Sequence, residues 1–340
     1  MAASDILTLK PAGLYCAAGD FFIDPLRSVP RALITHAHSD HARPGHGQVL
    51  ATAETLAVMA IRYGENFAGA AQTVRYGETL GIGGVDVGFF PAGHVLGSAQ
   101  IRLAQGGTRI VVSGDYKREA DPTCAAFEPL ICDTFISEAT FGLPVFRHAN
   151  AAGEIDKLLA SQKLFPERTH LVGAYPLGKA QRIIALLRQA GYDRPIYIHG
   201  ALEKITAYYQ EAGITLGDVR LAAGAGALPG EIVLCPPSAV NDLWSRKFAE
   251  PRAAFASGWM RVRAHARQRG IELPLVISDH ADWDGLCVTV DETQCSTLLV
   301  THGEPEALVH CFRQRGLEAA PLHILGYGDE EAETPLETDT

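Results

Sequence analysis

The segment HAHSDH, residues 36–41, follows directly after a short apolar run and constrains the fold more than any other feature of the chain. Side chains alternate along an extended strand, so His36 and His38 point to one side and are placed to bind one metal ion. The turn after the strand lets Asp40 and His41 reach a second ion. Imidazole nitrogen and carboxylate oxygen suit zinc and similar ions. The segment predicts a metal site at a strand end; the alternative is a surface loop that happens to be rich in histidine.

Length and composition indicate a globular protein with more than one core. The chain has 340 residues, so we expect two domains or one domain with a large insertion. Apolar residues make up 47% and charged residues 20%, which is ordinary for soluble proteins. No apolar run approaches the ~20 residues that a membrane-spanning helix needs. We therefore expect no contact with a membrane.

The cysteines and the first residues point to a cytoplasmic protein. The seven cysteines are odd in number and form no Cys-x-x-Cys pair. This favours buried, reduced thiols over a disulfide framework or a cysteine-based zinc site. The first residues also lack the basic and then apolar layout of a secretory signal.

The rhythm of apolar residues changes near residue 150. Before it, short apolar runs interrupted by Gly, Pro and Asp predict strands at 21–23, 32–34, 85–89, 101–103, 110–112 and 134–136, with one helix at 53–63. After it, helices alternate with buried parallel strands: the predicted helices are 154–161, 179–190 and 202–212, and the predicted strands are 171–172, 196–198 and 232–234. The predicted strand at 298–300 is again a short apolar run like those before residue 150. The glycine-rich loop at 224–230 matches no phosphate-binding fingerprint.

Four polar residues each follow an apolar run and so stand at predicted strand ends: His94, Asp115, His280 and His302. Rigid strands place such side chains at a common rim. Together with HAHSDH, they supply ligands for two metal ions. The expected ligands are His36, His38 and His94 for one ion and Asp40, His41 and His302 for the other. Asp115 is expected to bridge them, because a carboxylate binds two cations. Two ions roughly 3.5–4 Å apart hold a hydroxide and stabilise both oxygens of an in-line phosphoryl displacement.

These residues belong to motifs that stand in a distinctive order along the chain. The motifs are Asp24 after a strand, HAHSDH, AGHVLGS at 92–98, SGDY at 113–116, SEATFG at 137–142, SDH at 278–280 and THGE at 301–304. This order resembles the metallo-β-lactamase-fold nucleases of the β-CASP group, which includes ribonuclease J, the polyadenylation endonuclease and Artemis. GDYKRE at 114–119, DPTC at 121–124 and ASGWMR at 256–261 are most similar to the bacterial ligase-associated DNA exonucleases.

The resemblance implies an α/β fold, an αββα sandwich of the metallo-β-lactamase type interrupted by an inserted β-CASP domain. Residues 1–142 would form the first part of the metallo-β-lactamase domain and 143–275 the insertion. Residues 276–328 would return to the first domain. An acidic tail at 329–340 would follow.

The resemblance also implies roles for four catalytic residues, Asp24, Asp40, Glu138 and His280. Asp24 would orient a ligand histidine, as metal-bound imidazoles usually require. Asp40 would act as a metal ligand. The family histidine that matches His280 contacts the scissile phosphate and protonates the leaving oxygen. Glu138 would hold that histidine and favour its charged form.

Clustered basic residues are candidates for contact with a nucleic-acid backbone, although the formal net charge of −10 argues against such a partner. That count omits bound metal ions, so charge leaves the partner open. The candidates are Lys117, Arg118, Lys179, Arg182 and the run that contains Arg261, Arg263, His265, Arg267 and Arg269. A solvated helix face is the alternative for the run. Trp244, Trp259 and Phe255 would stack on bases or pack in a core, and His199 is expected to be structural.

The function expected from these features is a two-metal phosphodiesterase. The favoured form is a 5′-to-3′ exonuclease on single-stranded DNA in repair, with two Zn²⁺ ions or, alternatively, Mn²⁺. The resemblance alone implies an ATP-dependent DNA ligase and a helicase as functional partners. An RNA-processing nuclease is the nearest alternative, because RNA-processing members usually carry histidine at the position of His302. A catalytically dead scaffold that binds nucleic acid and a small-substrate hydrolase are the others. The predicted insertion, Glu138 and His280 argue against the small-substrate hydrolase, because such an enzyme needs no lid shaped for a polymer.

Overall fold

The structure is a computed structural model that describes residues 6–268 and 270–323. The described residues form two compact units. The first comprises residues up to Val145 and from His280 onward, and the second is Phe146–Asp279. The domain boundaries expected after residues 142 and 275 stay a prediction. Arg269 and the expected acidic tail at 329–340 lie outside the described residues.

The first unit contains two mixed β-sheets. The strands of the first sheet are β1 (Leu7–Lys10), β2 (Gly13–Cys16), β3 (Phe21–Ile23), β4 (Arg31–Leu33), β5 (His46–Ala51) and β6 (Ala68–Thr73). They follow one another in chain order, antiparallel from β1 to β3 and parallel from β3 to β6. The strands of the second sheet are β7 (Thr79–Ile82), β8 (Val85–Pro91), β9 (Ala99–Gln105), β10 (Thr108–Val112), β11 (Thr134–Glu138), β18 (Thr297–Thr301) and β19 (Glu318–Pro321).

The second sheet has the order β19-β18-β11-β10-β9-β8-β7. Its strands are antiparallel from β7 to β10 and parallel from β10 through β11 and β18 to β19. The carboxyl ends of β8, β10, β11 and β18 therefore lie at one edge of the sheet. Side chains at or just after these ends are brought together there, as the sequence pattern predicted.

Three helices accompany these sheets: α1 (Ala53–Tyr63), α6 (Trp283–Thr293) and α7 (Pro305–Gln314). Strand alternation sorts the apolar side chains into layers. Ile110 and Val112 of β10 share a core with Leu33 of the first sheet, whereas Val111 belongs to a cluster with Leu286 of α6.

The outer face of the first sheet is covered in the same way. Val49 of β5 belongs to a core cluster with Met59 of α1. The layers are therefore helix, sheet, sheet and helix, and the αββα fold class predicted from the sequence is confirmed. The predicted helix at 53–63 is confirmed with the same bounds.

The second unit is a parallel α/β sheet. Its strands are β12 (His170–Gly173), β13 (Ile196–Ile198), β14 (Val219–Leu221), β15 (Ile232–Cys235), β16 (Arg252–Ala256) and β17 (Leu273–Leu275), and its α-helices are α2 (Ala151–Leu164), α3 (Lys179–Gln189), α4 (Glu203–Glu211) and α5 (Arg263–Gln268). The strand order is β14-β13-β15-β12-β16-β17, and every pairing is parallel. The change of rhythm near residue 150 thus marks a change of architecture.

The cysteines are free thiols, as expected from their spacing. Five of them are buried, and Cys124 and Cys311 are partly exposed. Burial raises the pKa of Cys132 and of Cys235 to about 12. These thiols are therefore protonated and unreactive at neutral pH.

Replacing Phe135 of β11 by alanine is expected to lower the free energy of unfolding by about 3–5 kcal/mol, because the ring is fully buried between β11 and the helices α6 and α7. The melting temperature of the variant, measured by calorimetry, checks this. Val288→Ala, at a side chain of α6 that is 47% exposed, is the matched control and should change stability by less than about 0.5 kcal/mol. Equal effects in the two variants would contradict the assigned layers.

Candidate metal centre

The loop after β4 carries the HAHSDH residues inward and ends in a tight turn. The N–H groups of His41 and Ala42 both donate to the carbonyl of His38, at 3.2 and 2.8 Å. The turn reverses the chain, so that His36 and His38 face one group of side chains and Asp40 and His41 face another. The local prediction from the spacing of the segment matches this arrangement.

Four side chains form what we call the first ligand group: His36, His38, His94 and Asp115. All four are buried, and one nitrogen or oxygen atom of each lies within 4.8 Å of the others. His94 Nε2 is 2.9 Å from His38 Nδ1. Asp115 follows β10 and His94 follows β8, at the shared edge of the second sheet.

Three side chains form the second ligand group: Asp40, His41 and His302. The rings of His41 and His302 are stacked with their centroids 5.0 Å apart. His41 Nε2 lies 3.6 Å from Asp40 Oδ2. His302, which directly follows β18, adopts a left-handed backbone conformation with φ 59°. Such conformations in residues other than glycine cluster at functional sites.

Asp115 lies between the two ligand groups. Its Oδ2 is 3.4 Å from His36 Nε2, 3.8 Å from His94 Nε2 and 3.5 Å from His41 Nε2. A single carboxylate oxygen thus faces histidines of both groups at nearly equal distances. This is the geometry expected of a bridging carboxylate.

Burial and neighbouring charges set the protonation of these residues. Burial lowers the pKa of His36 well below its ordinary value and lowers that of His302 to about 3. Burial acts the same way on His41, but the carboxylates of Asp115 and Asp40 outweigh it and raise the pKa of His41 well above its ordinary value.

The opposite balance holds for Asp115. Burial favours its neutral form, but His41 and His36 outweigh burial and hold its pKa well below the ordinary value. At neutral pH the centre therefore contains the ionised carboxylate of Asp115 and a charged His41 beside neutral imidazoles at His36 and His302. The carboxylate and the neutral imidazoles are the forms that bind metal ions, and a cation at the second ligand group would displace a proton from His41.

The donor set fits two divalent cations. Five imidazoles and two carboxylates converge in two adjoining groups, and nitrogen and oxygen donors of this kind suit zinc or manganese. His36 Nε2 and Asp115 Oδ1 are buried and make no hydrogen bond within the described part of the chain. Buried polar atoms normally have a partner, and a bound cation at each group would supply one.

Asp24 supports the second ligand group, as expected for a residue that orients a ligand histidine. It is buried, and its Oδ2 accepts a hydrogen bond from His41 Nδ1 at 2.8 Å. That bond leaves His41 Nε2 directed toward Asp115. Asp24 also has a left-handed backbone conformation, with φ 42°.

Glu138 and His280 form a buried pair beside the first ligand group. His280 Nδ1 is 3.0 Å from both carboxylate oxygens of Glu138, which also accept hydrogen bonds from the N–H groups of Tyr116 and Thr140. The rings of His94 and His280 have centroids 4.7 Å apart. The sequence placed His280 directly after a strand, but β17 ends at Leu275 and His280 lies in the loop that follows.

Lys179 and Arg182, two of the candidates for contact with nucleic acid, are buried in the structure. They are 0% and 1% exposed, and both face Asp279: Lys179 Nζ is 3.4 Å from Oδ2, and Arg182 NH1 is 3.6 Å from Oδ1. Arg182 also donates to the carbonyl of Ser278. Buried cations need such partners. The contact of these two residues with nucleic acid stays a prediction, and their burial beside Asp279 argues against it.

The other basic candidates differ in exposure. Lys117 is also buried, with its Nζ 3.1 Å from Glu119, whereas Arg118 is partly exposed and pairs with Glu292 at 2.7 Å. Arg261 and Arg263 are exposed, so their contact with nucleic acid stays a prediction.

The aromatic candidates pack in apolar clusters of the second unit, which agrees with the core alternative for them. Phe255 is buried, Trp259 lies 5.0 Å from Phe146, and Trp244 lies 4.6 Å from His199 between ring centroids. His199 Nδ1 accepts a hydrogen bond from the N–H of Ala201 at the start of a short helix. This contact agrees with the structural role expected of His199.

Two groups in the centre were not found by sequence reasoning. Thr35, directly before HAHSDH, contacts both Asp24 and His36. The backbone N–H of Tyr116 donates to Glu138. The position of Thr35 next to the motif was an available signal, whereas a backbone donor leaves no trace in the sequence.

Within the described residues, no helix combines the length and apolar character needed to cross a bilayer.

The fold is an αββα sandwich that carries a candidate metal centre, and comparison with known proteins bears on its family. No family model matches the chain. A solved structure of a protein of unknown function from Enterococcus faecalis V583 superposes with a TM-score of 0.56 at 11% identity, over 88% of this chain and 80% of that one. That similarity supports the fold alone.

Curated relatives carry the comparison further. A probable DNA ligase from Opitutus terrae is 27% identical over 318 residues, which are 90% of this chain and 30% of that protein. Endoribonuclease YSH1 from Saccharomyces cerevisiae is 34% identical over 34% of this chain and 15% of its own length. Cleavage and polyadenylation specificity factor subunit 3-I from Arabidopsis thaliana is 26% identical over 62% of this chain and 36% of its own length.

The chain thus spans about a third or less of the length of these relatives. The resemblance to the metallo-β-lactamase-fold β-CASP nucleases, inferred from the order of the motifs, is confirmed by them.

Removal of divalent metal ions with EDTA is expected to lower the melting temperature by about 10 °C, because a ligand at 1,000 times its Kd stabilises the folded state by about 4 kcal/mol. Re-addition of Zn²⁺ should restore it. Differential scanning calorimetry of the treated, untreated and reconstituted protein measures the change. Identical melting curves for all three would contradict metal binding.

Proposed function

We propose that this protein is a two-metal phosphodiesterase that degrades nucleic acid, and that its favoured activity is 5′-to-3′ exonuclease action on single-stranded DNA. The two ligand groups joined through Asp115 carry the metal-dependent part of the proposal. The similarity of 90% of the chain to part of a probable DNA ligase carries the preference for DNA. A role in repair beside an ATP-dependent ligase and a helicase belongs to the same proposal.

The first ligand group would hold one divalent ion and the second group the other, with Asp115 shared between them. Zn²⁺ is the proposed ion, and Mn²⁺ would also suit these donors. Two ions bound there would activate water as the nucleophile and offset the charge that develops on the phosphoryl oxygens. Asp24 would keep His41 in place throughout the reaction.

His280 is proposed to give the proton that the leaving oxygen needs. Its Nδ1 is bonded to Glu138, so Nε2 would be the nitrogen that gives the proton. The Glu138 carboxylate favours the charged imidazole and fixes the orientation of the ring. Because Glu138 also accepts two backbone N–H groups, its own position is rigid.

RNA cleavage is the second candidate, and a specific observation favours it. His302 belongs to the second ligand group, and histidine at this position is typical of the RNA-processing members of the group that the motifs resemble. Two of the relatives described above are named an endoribonuclease and a cleavage and polyadenylation factor subunit. A scaffold without catalysis is disfavoured, since all seven expected ligands are present and grouped.

The test uses matched single strands of DNA and RNA, labelled at the 5′ or the 3′ end, with Zn²⁺ or Mn²⁺. Release of mononucleotides from the 5′ end of DNA, lost in His38→Ala and in His280→Ala, is the expected result. Cleavage of RNA alone would favour the second candidate. Cleavage of neither strand by metal-loaded protein would overturn both.

A further inference from the structure

Thr35 lies between Asp24 and His36 and contacts both. Its Oγ1 is 2.6 Å from Asp24 Oδ2 and 3.0 Å from His36 Nδ1, and its backbone N–H donates to Asp24 Oδ1 at 2.8 Å. Thr35 is 1% exposed, so bulk water does not compete for these bonds. The three residues therefore form a short chain of hydrogen bonds behind the first ligand group.

The direction of each hydrogen bond follows from the number of hydrogens available. A hydroxyl carries one hydrogen, and a carboxylate accepts only. The Thr35 hydroxyl therefore donates to Asp24, and toward His36 it accepts. His36 consequently carries its proton on Nδ1, which leaves the lone pair on Nε2.

Asp24 contacts His41 directly, without a residue such as Thr35 between them. Its Nδ1 lies 2.8 Å from the Asp24 oxygen that also receives the Thr35 hydroxyl. The Nε2 atoms of His36 and His41 then lie 3.4 and 3.5 Å from the same oxygen of Asp115. Both imidazoles thus present Nε2 to the region between the two ligand groups.

We propose that Thr35 is a positioning residue that extends the action of Asp24 from His41 to His36, so that one carboxylate fixes, in each ligand group, which nitrogen of a histidine faces the metal site. This inference rests on the proposed metal binding. It assigns a role to a residue that supplies no ligand atom of its own.

The surroundings of Thr35 fix its hydroxyl in place. Gly114, directly before Asp115, has φ 56°, and a Cβ atom there would lie 2.8 Å from both Cβ and Oγ1 of Thr35. The backbone that leads into Asp115 therefore packs directly on the threonine. A larger residue at position 114 would therefore push against the threonine.

Loss of the hydroxyl should change the tautomer of His36. In Thr35→Val, Nδ1 loses its acceptor, while Nε2 still faces the Asp115 carboxylate at 3.4 Å. The proton is then better placed on Nε2, which is the atom needed for metal binding. Loss of a hydrogen bond that orients a ligand typically weakens metal affinity by about 10–100-fold.

The experiment compares wild type, Thr35→Val and the matched control Thr35→Ser, which keeps the hydroxyl. Long-range ¹H–¹⁵N spectra of metal-free, ¹⁵N-histidine-labelled protein report the tautomer, and His36→Gln identifies the signal. We expect the proton of His36 on Nδ1 in wild type and Thr35→Ser, and on Nε2 in Thr35→Val. In Zn²⁺ titrations, one of the two ions should bind about 10–100-fold more weakly to Thr35→Val alone.

Other results would overturn the inference. If the tautomer of His36 were unchanged in Thr35→Val, Thr35 would act only through the fold. The same conclusion would follow if both Zn²⁺ ions bound Thr35→Val equally more weakly, or if Thr35→Ser also lost Zn²⁺ affinity. If wild type bound no Zn²⁺, the proposed function would fail. The tautomer measurement uses metal-free protein, so it would still decide the role of Thr35.

Discussion

Replacing Asp115 by asparagine is expected to reduce nuclease activity by about 10⁴-fold, which corresponds to about 5.5 kcal/mol of lost transition-state stabilisation. The reason is its position: one oxygen of this carboxylate faces His36 and His41, in separate ligand groups, at 3.4 and 3.5 Å. The amide keeps the size of the side chain but removes the negative charge between the two groups. Both metal sites should therefore weaken together.

Metal content separates this effect from that of a single ligand. His38→Ala should weaken one site and His302→Ala the other, whereas Asp115→Asn should weaken both. Inductively coupled plasma mass spectrometry of dialysed protein and titration against a chromophoric chelator give the stoichiometry and the affinities. Asp86→Asn, at an exposed carboxylate of β8, is the control and should leave content and activity unchanged. Two fully bound ions in Asp115→Asn would contradict a bridging role.

Replacing His280 by alanine is expected to reduce cleavage of nucleic acid by about 10²–10⁴-fold while both metal ions stay bound. Its ring is held by Glu138 rather than by a ligand residue, which is why metal content should not change. The loss should depend on the leaving group. With bis(p-nitrophenyl) phosphate, whose leaving nitrophenolate needs no proton, the variant should approach the wild-type rate.

Steady-state rates on both substrates measure this difference. Glu138→Gln should show the same dependence on the leaving group in weaker form, because the neutral amide stabilises the charged imidazole less than a carboxylate does. An equal loss of rate on both substrates would mean that His280 has another role, such as binding the phosphate. Loss of metal ions from His280→Ala would also contradict proton donation as its main role, because the residue would then be needed for metal binding.

Local chemistry was readable from the sequence wherever neighbouring residues act together. The HAHSDH spacing implied two groups of ligands because strand geometry and the following turn determine where His36, His38, Asp40 and His41 point. The bounds of α1 were also predicted, and the structure shows Thr52 as its N-terminal cap and Gly64 after its last residue. His94, Asp115 and His302 were recognised as strand-end residues because each directly follows a short apolar run.

Contacts between distant segments required the folded chain. Lys179 and Arg182 look like surface cations in the sequence, and only packing reveals that Asp279 receives both and that neither is exposed. The hydroxyl of Thr35 is unremarkable until Asp24 and His36 are found on either side of it.

Strand ends and motif spacing are encoded locally, because alternation and turn geometry act over a few residues. These local patterns were therefore sufficient to nominate the ligand residues and to divide them between two groups, whereas the layered α/β class came from the resemblance carried by the order of the motifs. Sheet order and close packing decide the rest. They determine which charges are buried, which carboxylate contacts which histidine, and which nitrogen of a histidine carries the proton. Those relations join residues far apart in the chain, and local pattern carries no information about them.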